Sequence, residues 1–262
     1  MSNAHDAIDY LAAATKDGAA GLFLDFDGTL APVVADPSVS RMPQELVPVL
    51  RDIAATLSYT AVVSGRPMDF LLAHVQVPRL RLLGLYGLQE SSVQGVRVVP
   101  DATAATPRVR RAVSRLRTAL AGADGVFVED KGLTVAVHWR NAPDRDAAER
   151  EVSLLMAALA VEAELEPVLG KLVAELRPPG DWHKGSAVTR LMRRQKLSAA
   201  VYIGDDLGDL PAFAAVQEVG GLALAVSGGD ETPQELLAQA DATLDGPEGV
   251  AQWLIALRGA LA

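Results

Sequence analysis

Two acidic clusters, each closing an apolar run, are the residues in this chain best suited to chemistry. In Leu22-Phe23-Leu24-Asp25-Phe26-Asp27-Gly28-Thr29-Leu30 two carboxylates stand between a strand-like run and a glycine. Strand side chains alternate, so Asp25 and Asp27 share a side if the strand continues, while Gly28 lets the backbone bend around them. Val201-Tyr202-Ile203-Gly204-Asp205-Asp206-Leu207-Gly208-Asp209 repeats the pattern. Neighbouring carboxylates repel unless a proton or cation intervenes, and magnesium suits oxygen ligands. A hard cation between two such strand ends can organise a phosphate while one carboxylate attacks phosphorus and a second carboxylic acid protonates the leaving oxygen. Two shorter pieces offer donors to a phosphate: Ser64-Gly65-Arg66 after a strand-like run, and Lys184-Gly185-Ser186 at the start of a helical pattern.

Each residue also has a plainer reading. Asp206 and Asp209 suit helix caps or solvent, Ser64 suits a cap, and Arg66 suits a surface ion pair. Lys184 could be an exposed helix-start lysine, but a cation there opposes the helix dipole unless it serves an anion. His74 and His183 read as structural, and Trp139 and Trp182 as packing residues with sugar stacking as the alternative.

The elements that must position these groups alternate in type. Gly21–Asp25, Tyr59–Val63 and Ala200–Ile203 read as buried strands, with helical patterns at Pro43–Leu57, Ala187–Gln195 and Pro233–Ala240. Such alternation predicts a Rossmann-like α/β core with a parallel sheet and crossover helices. The middle differs: a basic helix at Pro107–Ala121, a hairpin over Gly125–Arg140 turning at Lys131-Gly132, a helix at Asp144–Val161 and a strand at Lys171–Arg177. Proline-bearing connections at Pro100–Pro107 and Pro178-Pro179-Gly180 bracket it as hinges of an inserted α/β domain. The expected division is core at 1–103, inserted domain at 104–179 and core again at 180–262.

With 262 residues, half of them hydrophobic, the chain can bury a substantial core. A formal charge of -9 argues against nucleic-acid binding. The absence of cysteine excludes disulfides, thiolate metal sites and cysteine nucleophiles, and suits a reducing compartment. Met1–Lys16 lacks the pattern of a signal peptide, and no segment is apolar enough to span a bilayer. The expectation is a cytoplasmic monomer with no membrane or nucleic-acid partner. No Walker sequence and no defensible Ser-His-Asp order is present.

The ordered set DxDGT, Ser64, Lys184 and the terminal acidic motif resembles the haloacid dehalogenase superfamily. Within it the chain is similar to the trehalose-6-phosphate phosphatases, through Asp25–Pro32 (DFDGTLAP), Ser64–Arg66 (SGR), Gly84–Glu90 (GLYGLQE), Glu129–Thr134, Val137–Arg140 and Glu175–Pro178. Where that family often has GDDxTDEDAF, this chain has GDDLGDLPAF. The resemblance implies that Asp25 forms an aspartyl-phosphate and that Asp27 is general acid, then base. It implies phosphate contacts from Thr29, Ser64, Gly65 and Lys184, and substrate contacts from Arg66, Glu129, Lys131, His138, Arg140, Glu175 and Arg177. It also implies Mg2+ held by Asp25, Asp27 and Asp205, with Asp206 and Asp209 as candidates to complete the shell. The substrate it points to is a small sugar phosphate, trehalose 6-phosphate first. The alternatives are sucrose phosphate, a glycosyl-glycerate phosphate, or a non-catalytic sugar-phosphate sensor. The plainer reading of His138, Arg140, Glu175 and Arg177 is one polar face of a half-exposed sheet, and sugar contact is the favoured one.

Overall fold

Five consecutive buried residues, Ala20–Leu24, form the central strand β1, as an apolar run between helical patterns should. The computed structural model describes residues 4–16, 18–34, 37–170, 172–228 and 232–262. Helix α1 (Ala4–Thr15) precedes β1, and α2 (Leu46–Thr56), β2 (Tyr59–Val63), α3 (Met68–His74), β3 (Arg81–Gly84), β4 (Gln89–Ser92) and β5 (Gly95–Val98) follow it. Then come α4 (Pro100–Ala119), β6 (Phe127–Asp130), β7 (Val135–His138), α5 (Arg145–Ala163), β8 (Glu166–Gly170) and β9 (Val173–Arg177). The last third is α6 (Lys184–Gln195), β10 (Ala199–Gly204), α7 (Leu210–Gln217), β11 (Leu222–Ser227), α8 (Gln234–Gln239), β12 (Ala242–Asp245) and α9 (Gly246–Leu261). The chain divides into two units, Met1–Arg97 with Trp182–Ala262, and Val98–Asp181.

In the first unit the described strands form one sheet in the order β12-β11-β10-β1-β2-β3-β4-β5. Pairing is parallel from β12 to β3 and antiparallel between β3 and β4. Alternation sorts the side chains: Leu22, Leu24, Val62, Val201 and Ile203 pack with α1, α2 and α9, whereas Phe23, Ala61, Val63 and Tyr202 pack with α6 and α7. The chain grows outward from β1 in one direction through β2 and β3, and from β10 in the other through β11 and β12. The crevice between β1 and β10 is therefore the topological switch point, where open α/β sheets bind ligands. This is the α/β core with a mostly parallel sheet that the alternation of elements predicts.

The second unit is an antiparallel sheet, β6-β7-β9-β8, with α4 and α5 against one face. The hairpin turns at Lys131-Gly132 as expected; Gly132 has φ 78 and Lys131 N donates to Thr134 O at 3.1 Å. The Pro100–Pro107 connection is a correction, because those residues are the first turns of α4. Pro100 sits at the helix start, where no amide donor is needed. Pro107 is inside the helix, where the buried stripe Ala102, Ala105, Val109, Ala112, Val113 and Leu116 offsets its missing hydrogen bond. Lys171, the expected start of the last middle strand, lies outside the described residues, as do the first three residues of Met1–Lys16. No described helix is long and apolar enough to cross a membrane.

Candidate active site

The β1–β10 ladder extends one step past the strand, since Asp25 N donates to Ile203 O at 2.9 Å. That bond places the Asp25 side chain at the carboxyl end of β1 beside the carboxyl end of β10. The chain then turns back on itself through Gly28 N to Ala31 O at 2.7 Å and Ala31 N to Phe26 O at 2.9 Å. Gly28 is obligatory twice over: its φ is +79, and a Cβ there would stand 2.0 Å from Asp205 Oδ2. Glycine at 204 likewise clears space, because a Cβ would meet Asp209 Cγ at 2.3 Å.

Into this corner the first turn of α6 delivers Lys184. Its Nζ lies 2.8 Å from Asp25 Oδ1 and 2.7 Å from Asp209 Oδ1, and all three residues are buried. Burial alone would lower the ammonium's pKa, but Asp209 and Asp25 more than reverse this and hold it well above the usual lysine value. Burial pushes the Asp25 carboxyl well up; Lys184 opposes this, while Asp209 and Asp205 add to it. Asp205 is pushed up to about 7, by burial first and then by Asp209. Lys184 thus has a purpose for its dipole-opposed position: it neutralises carboxylates rather than facing water.

Asp25, Asp205 and Asp209 bring one carboxylate oxygen each within 4.8 Å of one another. Three acids against one ammonium leave surplus negative charge, and an all-oxygen donor set suits a hard divalent cation. Asp209 is the most committed of the three. Its Oδ1 accepts from Lys184 Nζ and Tyr202 OH (2.6 Å), and its Oδ2 accepts from the amides of Asp205 and Asp206, both at 3.1 Å. A carboxylate with its lone pairs so occupied orients the site, leaving Asp25 and Asp205 as the direct candidates to hold a cation. Asp27 and Asp206 are outside the triad. Asp206 is exposed and caps the turn Leu207–Asp209.

The remaining phosphate-type donors cluster at neighbouring strand ends. Thr29 is fully buried and donates to Asp205 Oδ1 at 3.4 Å. Ser64 follows β2, beside β1, and its buried Oγ accepts from Arg66 N at 3.1 Å. Gly65 lies under the Tyr86 phenol, whose OH would be 2.5 Å from a Cβ there. Arg66 forks onto Asp27. Gln89 receives Met68 N at the start of α3, and Glu90 pairs with Arg194. His183 caps α6 through Nδ1, and His74 bonds Phe70 O, so both histidines are structural.

The second unit carries its own polar cluster on the sheet face opposite α4 and α5. Register aligns Glu129, Ala136 and Glu175 across β6, β7 and β9, and residues two apart share that face. Buried Glu175 accepts from Thr134 Oγ1 at 2.6 Å, Arg177 Nη2 at 2.8 Å and Nε at 3.1 Å, and Lys131 Nζ at 3.5 Å. His138 Nε2 meets Glu129 Oε2 at 2.8 Å. Burial would raise the Glu175 carboxyl, but Lys131, Arg177 and Thr134 together hold it below the ordinary glutamate value. Arg140 is exposed and outside this cluster, and Trp139 is buried in the core on the other side.

A family model described as trehalose-phosphatase matches residues 23–240. The chain belongs to the trehalose-phosphatase family. Trehalose-phosphate phosphatase of Mycobacterium avium (strain 104) is 36% identical over 227 residues, covering 83% of this chain and 57% of that protein. The protein of the same name from Mycobacterium leprae (strain TN) is 33% identical over 244 residues, covering 88% and 56%. The chain therefore spans a little over half the length of these curated relatives. The C-terminal domain of C. albicans trehalose-6-phosphate phosphatase shares the fold, with a TM-score of 0.75, 22% identity and 96% of each chain covered.

Two groups of this trehalose-phosphatase family member are given no role of their own by the sequence reading. Tyr202 is a lone tyrosine in a buried aliphatic strand, and such a hydroxyl requires a partner, here Asp209. Thr134 is in step with Ala136 and His138, so alternation alone places it on the polar face.

Two outcomes follow from these networks. Asp209→Asn replaces one accepting oxygen with an NH2 group that faces other donors and breaks a buried ion pair; urea unfolding should show a loss of about 3–5 kcal/mol, and a loss under about 1 kcal/mol would contradict the orienting role. Because the folded-state pKa of Glu175 is depressed, its stabilisation is complete above the ordinary glutamate value and is lost as pH falls from there through the lower folded-state value. Unfolding midpoints followed on acidification should therefore fall more steeply for the wild type than for Glu175→Gln.

Proposed function

We propose that this chain hydrolyses trehalose 6-phosphate to trehalose and phosphate, with Asp25 as nucleophile and Mg2+ as cofactor. The observation that carries the reading is the convergence of Asp25, Asp205 and Asp209 on Lys184 at the sheet's switch point. A bound Mg2+, held by Asp25 and Asp205, supplies charge neutralisation and orientation for phosphoryl oxygens.

The chain's own residues do the rest. Lys184 spends two of its three donors on Asp25 and Asp209, which leaves one for a phosphoryl oxygen. Ser64, Gly65 and Thr29 add donors at the adjacent strand ends. Asp25 attacks phosphorus, and Asp27 protonates the departing sugar oxygen. Asp27 then takes a proton from the water that releases phosphate from Asp25.

Selection of the sugar falls to Glu129, Lys131, His138, Glu175 and Arg177, with Thr134 as their anchor. Their mutual ion pairs hold them in place before a sugar arrives, so hydroxyl contacts cost little reorganisation. A phosphate lacking the second sugar forgoes those contacts and the binding they supply. This reading takes the protein as a cytoplasmic monomer acting on a small sugar phosphate, in keeping with a cysteine-free, acidic chain.

Phosphate release from trehalose 6-phosphate should cease on chelation with EDTA and return on adding Mg2+. Asp25→Asn should lose more than about a thousandfold in turnover with its unfolding midpoint retained; substantial residual turnover would remove Asp25 as nucleophile. Glu175→Ala should lower the preference for trehalose 6-phosphate over glucose 6-phosphate by about tenfold, and an unchanged ratio would remove it from sugar selection.

A further inference from the structure

The guanidinium of Arg66 closes a fork on Asp27, the residue assigned above to proton transfer, and the inference rests on that assignment. Nε donates to Oδ2 at 2.7 Å and Nη2 to Oδ1 at 2.6 Å. A fork that takes both oxygens fixes the plane of a carboxylate as well as its position, which a lysine cannot do. The fork is itself braced. The guanidinium carbon lies 4.4 Å from the centroid of Phe70, and Phe70 packs edge-on against Phe26, between Asp25 and Asp27, at 5.7 Å. His74 stacks on Phe70 at 4.1 Å. The Arg66 backbone is tied too, its amide to Ser64 Oγ and its carbonyl to Leu85 N.

We propose that Arg66 is a positioning residue for Asp27, acting in the breakdown of the phosphorylated Asp25 rather than holding substrate. In that step a water oxygen forms a new bond to phosphorus, the bond from phosphorus to the Asp25 oxygen breaks, and one water proton passes to Asp27. One of the two oxygens held by the fork must receive that proton, so the fork sets the plane and position from which Asp27 meets the water. Phosphate contact from Arg66 would instead require it to leave a half-buried, stacked position in which its head group is already engaged.

Burst kinetics with p-nitrophenyl phosphate, whose phenolate departs with little protonation, separate the two half-reactions; trehalose 6-phosphate serves as the second substrate. Arg66→Ala should keep the full nitrophenolate burst and a kcat/KM within about twofold of wild type, while steady-state turnover falls about tenfold or more, KM falls with it, and phospho-enzyme accumulates. Arg66→Lys should stay low because it cannot fork. Guanidinium at non-denaturing concentration should partly restore Arg66→Ala, a response that only a folded protein with an intact slot can give. A KM raised about tenfold at unchanged kcat would make Arg66 a substrate contact. A lost burst, or unaltered turnover, would also overturn the proposal. Wild-type protein that releases phosphate from neither substrate would sink the phosphatase reading, and this role with it.

Discussion

A buried ammonium between two buried carboxylates governs this structure. Lys184 is almost fully enclosed, and an unpaired charge there would cost several kcal/mol. Asp25 and Asp209 remove that penalty only if β1, β10 and the start of α6 meet at one point. The parallel pairing of β1 with β10, the turn at Gly28 and the bare Cα of Gly204 all serve that meeting. The same contact explains why acids bunch where a hydrophobic core would otherwise exclude them. It satisfies the lysine yet leaves the acids in excess, so the corner is incomplete without a further positive charge.

The second unit solves a similar problem with a different balance. Glu129 and Glu175 face Lys131 and Arg177, two acids against two cations, with His138 and Thr134 filling the remaining bonds. Such a cluster has no charge deficit to fill. What it offers is a rigid polar face able to meet hydroxyl groups. One network is electrostatically unfinished and suits an ion and a phosphate; the other is closed and suits a neutral, oxygen-rich partner. That contrast is in keeping with the sugar-phosphate reading proposed above.

Much of this was legible because the chemistry rides on buried strands. Asp25 and Asp205 end apolar runs that can only be central strands, and Lys184 opens a helix against the dipole, which demanded an anion. The hairpin around Lys131-Gly132 was marked by its turn residues. Strands that resisted reading are short or exposed: β8 (Glu166–Gly170) is exposed throughout and contains Pro167, and β5 (Gly95–Val98) lies at an edge. β11 is alanine-rich, which suits helix as well as strand. Pairing was the least legible property. Motif order put Arg66 near the phosphate site, but only coordinates could give its fork to Asp27, and only they could show Asp209 saturated by four donors.

The central claim is that Asp25 and Asp205 hold one divalent cation while Asp209 orients them and Asp206 stands aside. Isothermal titration of Mg2+ into the wild type, Asp205→Asn and Asp206→Asn tests it directly. The account predicts one cation per chain in the wild type, retained in Asp206→Asn and lost in Asp205→Asn. Equal binding by Asp205→Asn and the wild type would contradict it.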